Sequence, residues 1–235
     1  MNNLQKQSEL VIRTLQANKN NIGLVTPFDF SEEKITILDF TSKNTELSKI
    51  DLTSTERMNE YVFGLLEKNG TSVGAGGYLE DRVIYRRSTH FDTGEEPRSV
   101  HLGIDIWMAA GTPLYAPLDG FVHSFKDNNV FGDYGPTIIV EYILDNVKFY
   151  TLFGHLSRES LVGMYEGKKI RKGEQLASVG NFPINGDWPP HVHFQLIVDM
   201  GDKKGDFFGV SSLSQKEYYS ILCPDPNLVL RMSQL

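Results

Sequence analysis

The chain has 235 residues, 40% of them hydrophobic, enough to bury one good core or one core with a small appended subdomain. A formal charge of -7, with no run of like charges and no basic-aromatic stretch, excludes a surface built for nucleic acid. No stretch of about 20 apolar residues is available to span a membrane, and Met1 to Asn20 lacks the apolar run of about 7–15 residues that a signal peptide needs. The single cysteine, Cys223, cannot form an intramolecular disulfide and reads as a small buried hydrophobe. A cytoplasmic setting is therefore expected.

The predicted elements begin with a short helix over Ser8 to Gln16, where Leu10, Val11 and Leu15 fall at near-helical spacing before the Asn18, Asn20, Asn21 cluster. Ile22 to Val25 and Ile35 to Phe40 read as short strands. A stronger helix follows. Thr53-Ser-Thr-Glu56 fits a capping box, in which hydroxyl and carboxylate satisfy orphan amides reciprocally. Met58, Tyr61, Val62, Leu65 and Leu66 then form one apolar stripe, and Asn69-Gly70 supplies the stop. Residues 1–70 are thus expected to be a small mixed α/β region.

From Gly74 the pattern changes to strand and turn. Runs rich in Val, Ile, Phe and Tyr, such as Thr137 to Tyr142, Val147 to Leu152 and His191 to Val198, alternate with glycines. Gly111-Thr-Pro-Leu-Tyr-Ala-Pro-Leu-Asp-Gly120 reads as strand, corner, strand, and its expected partner is the segment Gly167 to Gly180. Residues 71–235 are expected to form a mainly β, antiparallel domain, with the tail from Gly201 packed as a cap over the sheet.

Four of the six histidines fall in tight patterns: His101-Leu-Gly-Ile-Asp105, Gly154-His155-Leu and His191-Val-His193. On a strand, His191 and His193 share a face, with Cα atoms roughly 6.6 Å apart, which suits one metal ligand and one neighbour leaning over the same ion. A straight strand would hold His101 and Asp105 roughly 13 Å apart, too far to meet at one zinc ion. Gly103 lies between them, and a positive φ there would bend the chain and bring both side chains together. Two imidazoles and one carboxylate leave zinc a fourth position for water, as catalytic rather than structural zinc requires. Hydrolysis then needs a group to move the water proton and another to stabilise the developing oxyanion, and the histidines not on the metal can supply both. An isolated histidine is usually structural or surface, and His90 and His123 are read that way.

His-x-Gly-x-Asp, Gly-x-Pro-x-x-Ala-Pro-x-x-Gly, Gly-His-Leu-Ser and Pro-His-x-His-Phe, in that order over residues 98–198, resemble the lysostaphin-type zinc metallopeptidases. The resemblance implies an antiparallel β-sheet scaffold, the duplicated hybrid motif, and a Zn2+-dependent hydrolase cutting peptide bonds, commonly those of bacterial cell walls. Carried across, it makes His101, Asp105 and His193 the metal ligands and His155 and His191 the catalytic histidines. Two departures concern substrate. The loop Asn181-Phe-Pro-Ile-Asn-Gly-Asp-Trp-Pro-Pro190 is bulkier and stiffer than the small-residue run of relatives, and Phe153 stands where a tyrosine is frequent. A narrower likeness, carried by Gly77-Tyr-Leu-Glu-Asp-Arg82, Asp133-Tyr-Gly-Pro-Thr, Trp188-Pro-Pro-His-Val-His193 and Pro224-Asp-Pro-Asn227, is to the peptidase-like module fused elsewhere to kinase-like and class III aminotransferase domains.

The expected function is zinc-dependent hydrolysis of an amide in a peptide or small molecule, with peptidoglycan peptide as one candidate substrate and no nucleic-acid or membrane partner. Trp188, Glu80 and Arg82 are candidate substrate contacts. The rival expectation is a binding or regulatory module that keeps its zinc but has its open position filled, for example by residues 70–98. A purely structural zinc is disfavoured by a donor set without cysteine.

Overall fold

A computed structural model describes residues 2–91 and 96–235. In chain order the strands are β1 (Thr36–Leu38), β2 (Gly74–Gly76), β3 (Val100–His101), β4 (Ile104–Trp107), β5 (Pro113–Tyr115) and β6 (Gly120–Asn128). They continue with β7 (Gly135–Leu144), β8 (Val147–Gly154), β9 (Lys169–Ile170), β10 (Gln175–Ser178), β11 (His191–Ile197) and β12 (Val210–Ser211). The helices are α1 (Asn3–Ala17), α2 (Thr55–Asn69), α3 (Lys216–Leu222) and α4 (Asn227–Leu230). One sheet runs β1-β2-β4-β11-β8-β7-β6-β9; β1 pairs with β2 in parallel and the other neighbours are antiparallel. The mainly β, antiparallel architecture is the expected one. Among the described residues no helix is long and apolar enough to cross a membrane.

The glycine-punctuated hairpins pair as their spacing demands. β5 pairs with β10 through Tyr115 opposite Gln175 and Leu114 opposite Ala177, and β9 closes on the start of β6. The alternating apolar residues of β7, β8 and β11, Ile138, Val140, Phe149, Phe153, Val192, Phe194 and Leu196 among them, enter one core cluster because successive side chains point to opposite faces.

Residues 1–70 share that core. Val11 and Leu15 of α1, with Ile22, Val25, Phe30 and Ile35, pack in the same cluster as Ile104 and Ile106 of β4. The first helix is longer than its apolar pattern because Asn2 caps it, accepting from the amide of Gln5 at 2.8 Å. Leu10 falls off the buried face and is half exposed, and Thr14 replaces it beside Val11 and Leu15. Ile22 to Val25 is not a strand but an irregular segment, anchored by the buried Ile22 and Val25 and by two backbone bonds, Gly23 N to Pro117 O and Tyr115 N to Val25 O, both 2.8 Å. In α2 the cap is Ser54, one residue later than the capping-box reading, while Gly70 ends the helix in the left-handed conformation as expected.

The C-terminal tail packs against the sheet, with Val229, Leu230 and Met232 in the main cluster and Tyr219, Leu222 and Cys223 in a second. Cys223 is fully buried, and burial pushes its thiol up to about 12.

Candidate metal centre

Three strands set the floor of the site. In the β4–β11 ladder Asp105 stands directly opposite His193, and Trp107 opposite His191, so all four side chains project from one face in two adjacent pairs. On the other side of β11, His193 stands opposite Gly154, which places His155 at the strand end beside the same spot. His155 itself adopts a positive φ of 60°, an uncommon conformation for a side chain of this size and one that recurs at functional positions.

His101 reaches the group through the bend at Gly103, between β3 and β4. The bend is as anticipated, but its cause differs: Gly103 has no positive φ. A Cβ at Gly103 would lie 2.6 Å from Cε1 and Nε2 of His193, so glycine is required because the His193 imidazole rests on the backbone there.

The donor atoms converge. His101 Nε2 lies 2.9 Å from His193 Nδ1, and Asp105 Oδ1 lies 3.1 Å from each of those nitrogens. A tetrahedral ion with ligands at about 2.0–2.1 Å sets them about 3.3 Å apart, close to this triangle. Among the described residues, His101, Asp105 and His193 form the one group of histidine, cysteine or carboxylate side chains able to hold a metal ion.

The partners of the outer ring atoms leave the inner atoms free to ligate. His101 Nδ1 donates to the carbonyl of Gly77 at 3.1 Å, and His193 Nε2 donates to Gln195 Oε1 at 2.8 Å. Gln195 is held in turn by its own donation to the carbonyl of Phe208 at 3.0 Å. Burial, with Arg82 adding to it, pushes His101 down to about 3, so its imidazole is neutral at pH 7. Burial would raise Asp105, but His101 and Arg82 outweigh it and hold the carboxyl well below its ordinary range. Two carboxylates, Asp105 and Glu80, therefore face one cation, Arg82, in a buried pocket. The neutral imidazole of His101, the carboxylate of Asp105 and the oxygen and nitrogen donors fit a divalent ion such as zinc.

His155 and His191 lean over this triangle with ring centroids 4.2 Å apart. His155 Nδ1 donates to the carbonyl of Asn185 at 2.8 Å and His191 Nδ1 to that of Pro189 at 2.7 Å, so each keeps an Nε2 lone pair. His191 Nε2 lies 3.9 Å from Asp105 Oδ1. Trp107 stacks on His191 at 4.0 Å and 20°, fixing its plane. Burial pushes His191 down to about 4 and His155 well below its ordinary value, so both are neutral bases at pH 7.

A cavity of about 170 Å³ opens above the floor. Asp105, His155, His191 and His193 line it, and Trp188, Tyr85, Phe91 and Tyr134 wall it. Trp188 thus faces the cleft, held by Asn185, whose side chain accepts from the Trp188 amide and donates to its carbonyl. Glu80 and Arg82 do not line it. They sit behind Asp105, with the Arg82 side chain wholly buried, which takes them out of reach of a substrate in the cleft.

Three participants escaped the sequence reading. Trp107 lines the cleft beside His191, and no sequence motif marks it. Tyr134 fills the space against Gly154 and Gly209, its hydroxyl 3.4 Å from His193 Nε2, on the side away from the donor triangle. His90 lines the cleft, 4.0 Å from Asp133, rather than standing apart as an ordinary surface histidine. His123 stays outside the site, hydrogen-bonded to Ser124 and edge-on to Tyr150. Phe153 is wholly buried against Phe194, so it faces the core.

Residues 99–205 match the model of Peptidase family M23. An uncharacterized metalloprotease of Haemophilus influenzae is 32% identical over 99 residues, which cover 42% of this chain and 19% of that protein. The peptidoglycan DD-endopeptidase ShyA of Vibrio cholerae is 29% identical over 126 residues, 50% of this chain and 25% of that protein. The chain spans about a fifth to a quarter of the length of these curated relatives. The solved catalytic domain of the antimicrobial peptidase lysostaphin from Staphylococcus simulans matches at 21% identity and a TM-score of 0.35, covering 52% of this chain and 80% of that one.

Proposed function

We propose, from the match of residues 99–205 to the model of Peptidase family M23, that the chain is a zinc-dependent metallopeptidase that hydrolyses an amide bond in a peptide. In this reading His101, Asp105 and His193 hold the metal, and His155 and His191 carry the proton and steady the oxyanion. The observation that carries it is the convergence of three buried donor atoms on the floor of a cleft, beneath two further neutral histidines. Bound there, zinc would polarise a substrate carbonyl and bring the pKa of a water towards about 7.

The chain's own residues supply the rest. Each of His155 and His191 has its Nδ1 proton committed to a backbone carbonyl, so Nε2 is the atom that accepts a proton from water. Once one imidazole is protonated, it can return that proton to the leaving amine, and the other can offset the charge that develops on the carbonyl oxygen only when it carries a proton on Nε2, as an imidazolium whose Nδ1 stays on its backbone carbonyl. Trp107 and Asn185 hold the two rings so that little orientation is lost on reaction. Trp188, Tyr85 and Phe91 give the cleft apolar walls against which a substrate side chain can pack.

The substrate we propose is a peptide of the bacterial cell wall, the class named for the Vibrio cholerae relative. An accessible metal position is favoured over a filled one because, among the described residues, the donor group is limited to three and opens on the cleft. Elemental analysis of purified protein, wild type beside His193→Ala, tests the reading. About one zinc per chain, absent from the variant, is the expected result, followed by cleavage of cell-wall peptides detected by mass spectrometry. Wild-type protein that takes up no zinc on resupply would overturn it.

A further inference from the structure

Arg82 has no role in the reaction described above, yet it is among the most completely buried side chains of the molecule. Burying a guanidinium is costly unless each of its donors is met. Here they are met in a particular order. Nε donates to Glu80 Oε2 at 2.7 Å, and Nη1 makes a short charged bond to Asp105 Oδ2. Nη1 also lies 3.4 Å from the hydroxyl of Tyr85, and Nη2 lies 3.5 Å from the carbonyl of Gly77, which accepts from His101 as well. Glu80 is pinned at its other oxygen by the amide of Phe40 at 3.2 Å.

The fold makes room for this cation. Gly76 stands opposite Asp105 in the β2–β4 ladder, and a Cβ there would lie 2.6 Å from Arg82 Nη2. The backbone of residues 79–82 is tied to the ligand strand by three bonds. They run from Leu79 N to His101 O, from His101 N to Glu80 O, and from Arg82 N to Ser99 O, at 2.8, 3.0 and 2.9 Å. Arg82 therefore reaches Asp105 from the side opposite the cleft. It takes Oδ2 and leaves Oδ1, the oxygen that faces both histidine nitrogens.

We propose that Arg82 is the positioning residue of the metal centre: clamped by Glu80, it occupies Asp105 Oδ2 so that the carboxylate offers the metal a single oxygen and the fourth position stays open. The inference rests on the metal-site reading above. A guanidinium suits the task because its planar fork engages two carboxylates at once, whereas an ammonium is a single point of charge. Without it, Asp105 is free to turn and chelate through both oxygens.

Cobalt(II) titration of the purified chain tests this, reading both the dissociation constant of the folded protein and the visible absorption, whose intensity reports coordination number. Arg82→Gln is expected to weaken cobalt binding about 10–100-fold, the usual cost of losing an outer-shell partner of a ligand, and to lose absorbance as coordination expands. Arg82→Lys is expected to restore neither. A purely structural role would lower the unfolding midpoint without moving these readouts. Should Arg82→Gln fail to fold, Glu80→Gln, which loosens the clamp but spares the Arg82–Asp105 pair, is expected to weaken binding several-fold. Wild-type affinity and spectrum in folded Arg82→Gln, or in Glu80→Gln where it is the variant measured, would overturn the proposal while leaving the metal site standing. A wild-type chain that binds no cobalt would overturn both.

Discussion

On the floor of the cleft His101, Asp105, His155, His191 and His193 stand on, or one residue beyond, a paired strand, whereas at the rim Arg98, Lys203 and Asp206 stand on irregular segments and His90 on a single turn of 3-10 helix. The floor residues are almost wholly buried: His101 is 0% exposed, Asp105 4%, His155 6%, His191 2% and His193 3%. The rim residues are half-buried, and their contacts are looser. Arg98 donates to the carbonyl of His90 and covers the face of Phe91, and Lys203 lies 4.2 Å over the ring of Phe208. The difference teaches where precision comes from. A ladder fixes register in whole residues, so a cross-strand pair such as Asp105 and His193 cannot drift, while a loop side chain can adapt to what binds.

If that contrast is right, the floor should be intolerant and the rim forgiving. The largest effect is expected from His193→Ala, which removes one donor and leaves Asp105 without its cross-strand partner. Both metal and peptidase activity should fall to background, read by elemental analysis and product formation. His155→Ala should come next, keeping its metal while losing turnover by about 10²–10⁴-fold, the range for general acid–base groups. Fully active or metal-free His155→Ala protein would break the assignment of roles.

Gly103→Ala sharpens the comparison, because it alters neither a ligand nor a titrating group. Its methyl group would meet the His193 ring, so we expect a stability loss of about 1–3 kcal/mol in urea unfolding and weaker metal binding. Unchanged metal affinity would show that the floor is more plastic than its packing implies.

A smaller effect is expected from pH. His101 is held at about 3 and His191 at about 4, against an ordinary value near 6.5, so between those values the unfolded chain binds more protons than the folded one. Stability of the metal-free protein should be full above about pH 6.5 and decline as pH falls through that window, and urea unfolding at pH 7.5 and pH 5 will show it. A midpoint that is flat or higher at pH 5 contradicts the burial argument. Smallest of all, Lys203→Ala should leave stability within about 0.5 kcal/mol, as for surface positions, and change KM more than kcat. A kcat collapse would move this rim residue into the machinery.

What the sequence by itself determined is local. The period-two runs with glycine turns specify an antiparallel β domain, because strand faces alternate and glycine takes the turn conformations that other residues avoid. The spacing of His191 and His193 puts both on one face for the same reason. The pairing of Gly111–Gly120 with Gly167–Gly180 was also legible, as two glycine-bounded strand-like segments. Tertiary structure decided everything that depends on which strands meet. The β4–β11 ladder sets Asp105 against His193 and Trp107 against His191, and no local signal marks Trp107 as more than a core aromatic. The same holds for Gly103, which is glycine because an imidazole 90 residues later in the chain rests upon it. Arg82 is the clearest case: the sequence offers it as a candidate substrate contact, and only the β2–β4 pairing, with Gly76 clearing the space, turns it inward onto Asp105. Periodicity is set by the backbone of each segment, but contact is set by register between segments far apart in sequence, and register is a property of the folded sheet.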